Sequence, residues 1–175
     1  LTSLSWISIA AFGSLPFIFS NMNLSFSDAF FESMSGITTT GSTVIDNLLI
    51  TPKGILLWRA ILQWLGGIGI VVMAITLMPL MKIGGMQLFK INSGDSTEKI
   101  LPKTREIAIR IFLIYLFLTF LCLFSYFIAG MNIFDSIIHS MTTIATGGFS
   151  NYNESIGHFQ NSIIEIIAII FILAG

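Results

Sequence analysis

Two short stretches gather oxygen ligands in a chain that is otherwise mostly apolar: "GITTTGSTV", Gly36 to Val44, and "TIATGGFSN", Thr143 to Asn151. The residues at their centres are Thr38, Thr39, Thr40, Gly41 and Ser42 in the first, and Ala145, Thr146, Gly147, Gly148 and Phe149 in the second. These residues offer hydroxyls and main-chain carbonyls. Glycine permits backbone angles that turn successive carbonyls one way, and carbonyls so turned can replace part of the water shell of a desolvated monovalent cation. No Asp or Glu falls within either set, which argues against a carboxylate ring for divalent ions.

Composition says where such loops must work. The chain has 175 residues, 54% hydrophobic and 10% charged, with a mean hydropathy of +0.90. A soluble core cannot absorb that much apolar surface, whereas lipid favours it. The net charge of -1 is unevenly placed. Lys82, Lys90, Lys99, Lys103, Arg105 and Arg110 lie in or just beyond one connecting segment with only Asp95, Glu98 and Glu106, and the positive-inside rule makes that segment cytoplasmic. Cys122 is the one cysteine, which excludes an intrachain disulfide or a cysteine metal cluster.

Four apolar segments read as spanning helices, and between them lie two stretches too brief to cross, Phe26 to Met34 and Ile133 to Met141. At 1.5 Å per residue each reaches roughly 14 Å, about half the hydrocarbon thickness. A shift of 107 residues superimposes Asp28 on Asp135, Ser33 on Ser140, Met34 on Met141, Ile37 on Ile144, Thr39 on Thr146 and Gly41 on Gly148. Six identities in fourteen positions mark an internal repeat, since about one is expected by chance. The expected organisation is an all-α polytopic membrane protein with tandem repeats of helix, re-entrant pore loop and helix. Repeat one covers 1–80, with helices 4–20 and 54–80, half-helix 27–35 and loop 38–42. A cytoplasmic linker follows at 81–106. Repeat two covers 107–175, with helix 107–129, half-helix 134–143, loop 145–149 and a last helix, 162–175, that is short of the roughly twenty residues a span needs. A first residue that is not Met and a short final helix both suggest cut ends.

Several residues have competing readings. Arg59 stands near the outer end of the second span, where it could reach water, and Trp58 and Trp64 fit an aromatic belt. Arg59 and Glu32 could support the loops, or Glu32 could place charge at the outer mouth. Asp28 and Asp135 suit capping of their half-helices. Gly66, Gly67 and Gly69 read as close helix packing, since no strand precedes them to make a nucleotide fingerprint. His139 beside Ser140 invites an intramembrane hydrolase, but adjacent helical residues point apart and no third orienting group is evident.

The blocks "DAFFESMSGITTTGSTV", "LQWLGGIGI", "GGMQL" and "TGGFS" resemble the Trk/Ktr/HKT superfamily of potassium transporters, and in particular its bacterial TrkH-type branch. The likeness runs over essentially the whole chain. It implies the first two of four pore repeats around a central pore, with one filter glycine per repeat, here Gly41 and Gly148. It further implies potassium held by backbone carbonyls of Thr39, Thr40, Gly41, Thr146, Gly147 and Gly148, with no organic cofactor in this chain and no catalysis. In the plant branch, serine at the first glycine position goes with sodium preference, so Gly41 favours potassium. A sodium-selective or non-selective relative of the same fold is the alternative. A homodimer, a cytosolic nucleotide-binding TrkA-like regulatory subunit, a multi-pass place in the bacterial inner membrane with the pore loops facing outside, and no nucleic-acid partner complete the expectation.

Overall fold

The computed structural model describes residues 2–81 and 100–175. Among the described residues seven α-helices follow one another: α1 Thr2–Gly13, α2 Leu15–Ile18, α3 Phe26–Ile37, α4 Lys53–Met81, α5 Ile100–Ile128, α6 Ile133–Ile144 and α7 Ser162–Ala174, with 3-10 turns at Leu48–Ile50 and Ser155–Phe159. Within the described residues α4 and α5 each contain a run long and apolar enough to cross a membrane, Lys53–Val71 and Glu106–Ile128.

The single first helix expected at 4–20 is instead broken at Ser14. Pro16 has no N–H to donate and its ring crowds the preceding turn. Phe17 N–H accordingly bonds to Ser14 O at 3.1 Å, and the Gly13 carbonyl accepts the Trp58 indole N–H at 2.9 Å. Trp64 donates to Thr119 Oγ1 at 3.0 Å. Both indoles therefore bind neighbouring helices through the group that an aromatic belt would turn to water.

α3 and α6 are twelve residues each, roughly 18 Å long. α3 packs against α1, α2 and α4, while α6 lies among α4, α5 and α7. Their starts are built alike. Ser25 caps α3 and Asn132 caps α6, both with φ -66° and ψ 162°, and each side chain accepts from the N–H three residues on, Asp28 or Asp135. α5 begins before the expected residue 107, and Pro102 sits in its first turn, where a missing N–H costs nothing. Residues 82–99 of the expected cytoplasmic linker lie outside the described residues. One face of α5, including Phe117, Phe120 and Phe124, is exposed, as expected of a surface toward lipid.

Candidate functional site: two Thr/Gly loops and the helix behind them

Each half-helix runs directly into its loop, and the two turns have the same hydrogen bonds. Thr38, Thr39 and Thr40 donate their N–H groups to Met34, Gly36 and Ser35, and Ala145, Thr146 and Gly147 donate theirs to Met141, Thr143 and Thr142. Each donor and acceptor of the second set is the counterpart of the first at the 107-residue shift. The pattern is that of a Schellman cap, which ordinarily places glycine in the left-handed position. Here that position holds threonine twice, Thr39 at φ 56° and Thr146 at φ 52°. A β-branched residue there is strained, by about 1–3 kcal/mol, and strain of this kind gathers at functional sites. Two residues later come Gly41 at φ 81° and Gly148 at φ 82°, a geometry that glycine adopts freely. A Cβ on Gly41 would also overlap the Gly147 carbonyl oxygen, so the loops approach each other at this point.

These bonds decide where the carbonyls go. In a trans peptide N–H and C=O point in opposite directions. The N–H groups of Thr39, Thr40, Thr146 and Gly147 are turned back into their helices, which turns the carbonyls of Thr38, Thr39, Ala145 and Thr146 away from those helices. Among the described residues, no hydrogen bond reaches a carbonyl of residues 38–41 or 145–148. Ser42 differs, because its carbonyl accepts the Ser35 hydroxyl at 2.6 Å.

Beyond the glycines the two loops are tied down at equivalent positions by different chemistry. In the first, the Thr43 hydroxyl donates to Glu32 Oε1 at 2.9 Å and the Val44 N–H to Oε2 at 3.0 Å. In the second, the counterpart of Glu32 is His139 and that of Thr43 is Ser150. His139 Nδ1 donates to the Asp135 carbonyl, and the neutral ring so oriented accepts the Ser150 hydroxyl on Nε2 at 3.0 Å. Ile45 and Tyr152 each donate a main-chain N–H to the bracing hydroxyl at 3.1 Å. Ser140 is not part of this arrangement, since its hydroxyl bonds Ile137 O at 2.9 Å. The Ser140 and His139 pair that a hydrolase would need is thus not formed.

Arg59 joins the two braces. Its Nε lies 2.6 Å from Glu32 Oε1, its Nη1 donates to Ser150 O at 3.1 Å, and its guanidinium stands 4.1 Å from the centroid of the Phe149 ring. Arg59 is 1% exposed and Glu32 0%. This corrects two of the sequence readings, an arginine reaching water and a glutamate placing charge at the mouth: the two ions neutralise each other behind the loops. Phe149 is 3% exposed, with its ring packed under Arg59 at the back of the second loop. One and two turns further along α4, Gln63 Oε1 accepts the Phe149 N–H at 3.1 Å, and Gly66 lies so close to Ile37 that a Cβ would overlap its carbonyl. Residues 59, 63 and 66 share one helix face, and that face supports both loops. The sequence reading does not single out Gln63, although one uncharged polar residue in "AILQWL", four positions after Arg59, is a readable signal.

Asp28 and Asp135 are not equivalent. Asp28 forms a capping box with Ser25, as its position suggests. Asp135 is 2% exposed and does more than cap, receiving Asn132 Nδ2, Asn151 Nδ2 and the Tyr152 hydroxyl. Burial, then the hydrogen bond and charge of Asp135, push the Tyr152 phenol up to about 12, so it stays a donor.

Short helices that enter, cap in a left-handed turn and return through a glycine strand, set among longer apolar helices, define a pore-loop membrane protein. Residues 1–175 match the family described as cation transport protein, TrkH. The Trk system potassium uptake protein TrkH of Vibrio parahaemolyticus is 46% identical over 173 residues, which are 97% of this chain and 36% of that protein. The Trk system potassium uptake protein TrkI of Halomonas elongata is 46% identical over 159 residues, 91% of this chain and 32% of that protein. The crystal structure of the potassium transporter TrkH from Vibrio parahaemolyticus superimposes with a TM-score of 0.83 at 42% identity, covering 98% of this chain and 34% of that one. The chain belongs to the TrkH family of cation transport proteins. It spans about a third of the length of the curated relatives it matches.

Proposed function

We propose that this chain is part of a potassium-uptake protein of the bacterial inner membrane, and that its two Thr/Gly loops supply part of a selectivity filter. Potassium, the cargo, is held by the backbone carbonyls of Thr39, Thr40, Gly41, Thr146, Gly147 and Gly148, which stand in for water as it moves inward down its electrochemical gradient. The observation that carries this reading is the matched pair of turns. In each, the N–H groups are consumed by the half-helix and the carbonyls are left without a donor among the described residues. In this reading the loops face outside, the linker 81–106 faces the cytoplasm, and the protein works as a homodimer with a TrkA-like nucleotide-binding subunit, the arrangement that the family resemblance implies. The chemistry supplied by the chain is binding and positioning.

Gly41→Ser in the full-length protein tests it. A serine here meets a positive φ and the Gly147 carbonyl together, so both loops shift. The expected outcome is a drop of about tenfold or more in rubidium over sodium flux at equal membrane abundance. An unchanged ratio defeats the assignment, and a wild-type protein that prefers sodium establishes the sodium-transporting alternative.

A further inference from the structure

The carboxamide of Gln63 is fully buried in α4, and its orientation is fixed by its neighbour. A main-chain N–H only donates, so the atom facing Phe149 N at 3.1 Å is the oxygen. Nε2 is then committed to the other side. It lies against Gly147, 3.6 Å from where a Cβ on Gly41 would stand, and has no acceptor among the described residues. The group is wedged between the glycine strands of both repeats.

The Phe149 N–H belongs to the same peptide unit as the Gly148 carbonyl. Drawing the N–H toward α4 turns that carbonyl the opposite way, out from the helix wall on the side where Gly148 is exposed and has open space around it. We propose that Gln63 is a specificity-determining positioning residue: by holding the Phe149 N–H it aims the Gly148 carbonyl at the permeating ion. This rests on reading the loops as a filter. The same contact explains why the loops differ in composition. The first has Thr40 where the second has Gly147, and a Cβ at 147 would overlap the Gln63 carboxamide. Gly175 packs on Ile144 as Gly66 packs on Ile37, so the position equivalent to Gln63 in the second repeat is Ile172, which has no such acceptor. A residue of repeat one thus governs a carbonyl of repeat two.

The test compares Gln63→Met, which keeps length and removes the acceptor, with Gln63→Glu, which keeps an acceptor for the Phe149 N–H. Both are made in the full-length protein, and rubidium and sodium fluxes are normalised to protein in the membrane. Gln63→Met is expected to lower the rubidium-to-sodium ratio about fivefold or more, while Gln63→Glu keeps it near the wild-type value whatever happens to total flux. Gln63→Ala replaces the methionine variant if that one does not accumulate. An unchanged ratio in the acceptor-free variant, or an equal loss in both variants, overturns the role of Gln63. Gly148→Ser, measured alongside, separates the two levels. If it lowers the ratio where Gln63→Met does not, only the positioning role falls. If neither lowers it, the filter reading of the second loop falls as well.

Discussion

At the residue scale the decisive group is Arg59, which satisfies the Glu32 carboxylate of α3, behind the first loop, and the Ser150 carbonyl beyond the second. Arg59→Met leaves Glu32 charged and buried without its partner, and losing one member of such a pair costs about 3–5 kcal/mol. The expected result is a large fall in the melting temperature of the purified protein. Arg59→Lys should fall between this and wild type, because one ammonium cannot reproduce a planar fork that reaches Glu32 and Ser150 at once. Gly147→Ala should displace the Gln63 side chain and release the Phe149 N–H. In a Gln63→Ala background the added methyl has room, so the two effects on stability should be markedly non-additive in a double-mutant cycle.

Elements repeat more faithfully than the side chains that hold them. The half-helices, their caps and their left-handed turns recur at one fixed shift, yet the braces are Glu32 with Thr43 in one and His139 with Ser150 in the other. The two helix-start carboxylates should therefore respond differently. Asp28→Ala removes a capping box and should cost about 1 kcal/mol. Asp135→Ala strips the buried Asn151 amide, and the more accessible Asn132 amide and Tyr152 hydroxyl, of their acceptor and should cost about 2 kcal/mol or more. Thermal unfolding of the two variants checks the order, and equal losses would contradict it. What sequence made legible follows the same division. Half-helices and glycine turns depend on neighbours in the chain, so local spacing revealed them. The partners of Arg59 and Gln63 do not. Arg59 meets groups 27 and 91 positions away and Gln63 one 86 positions away, and no spacing announces such a pairing. The break at Ser14 was legible in principle from Pro16, but its use, a free carbonyl for Trp58, depends on packing.

For the whole molecule, the expected orientation gives a direct labelling experiment. In a background with Cys122→Ala and every other cysteine of the full-length protein replaced, cysteines at Asn47 and Glu154 should react with a membrane-impermeant thiol reagent applied to intact cells. A cysteine at Ser96 should react only after the inner face is opened. Labelling of all three from outside would overturn the assigned topology. The shared helix face at Arg59, Gln63 and Gly66 also bears on how the protein is made. Arg59 leaves the ribosome after Glu32, with its counter-ion already synthesised, but 91 residues before Ser150. Insertion of the first repeat can bring Arg59 and Glu32 into the bilayer as a neutral pair, while one guanidinium N–H of the pair waits for a carbonyl not yet translated. The first repeat can thus be inserted before the second but finished only with it, so a stalled nascent chain ending between the two should stay loosely folded and open to quality-control proteases.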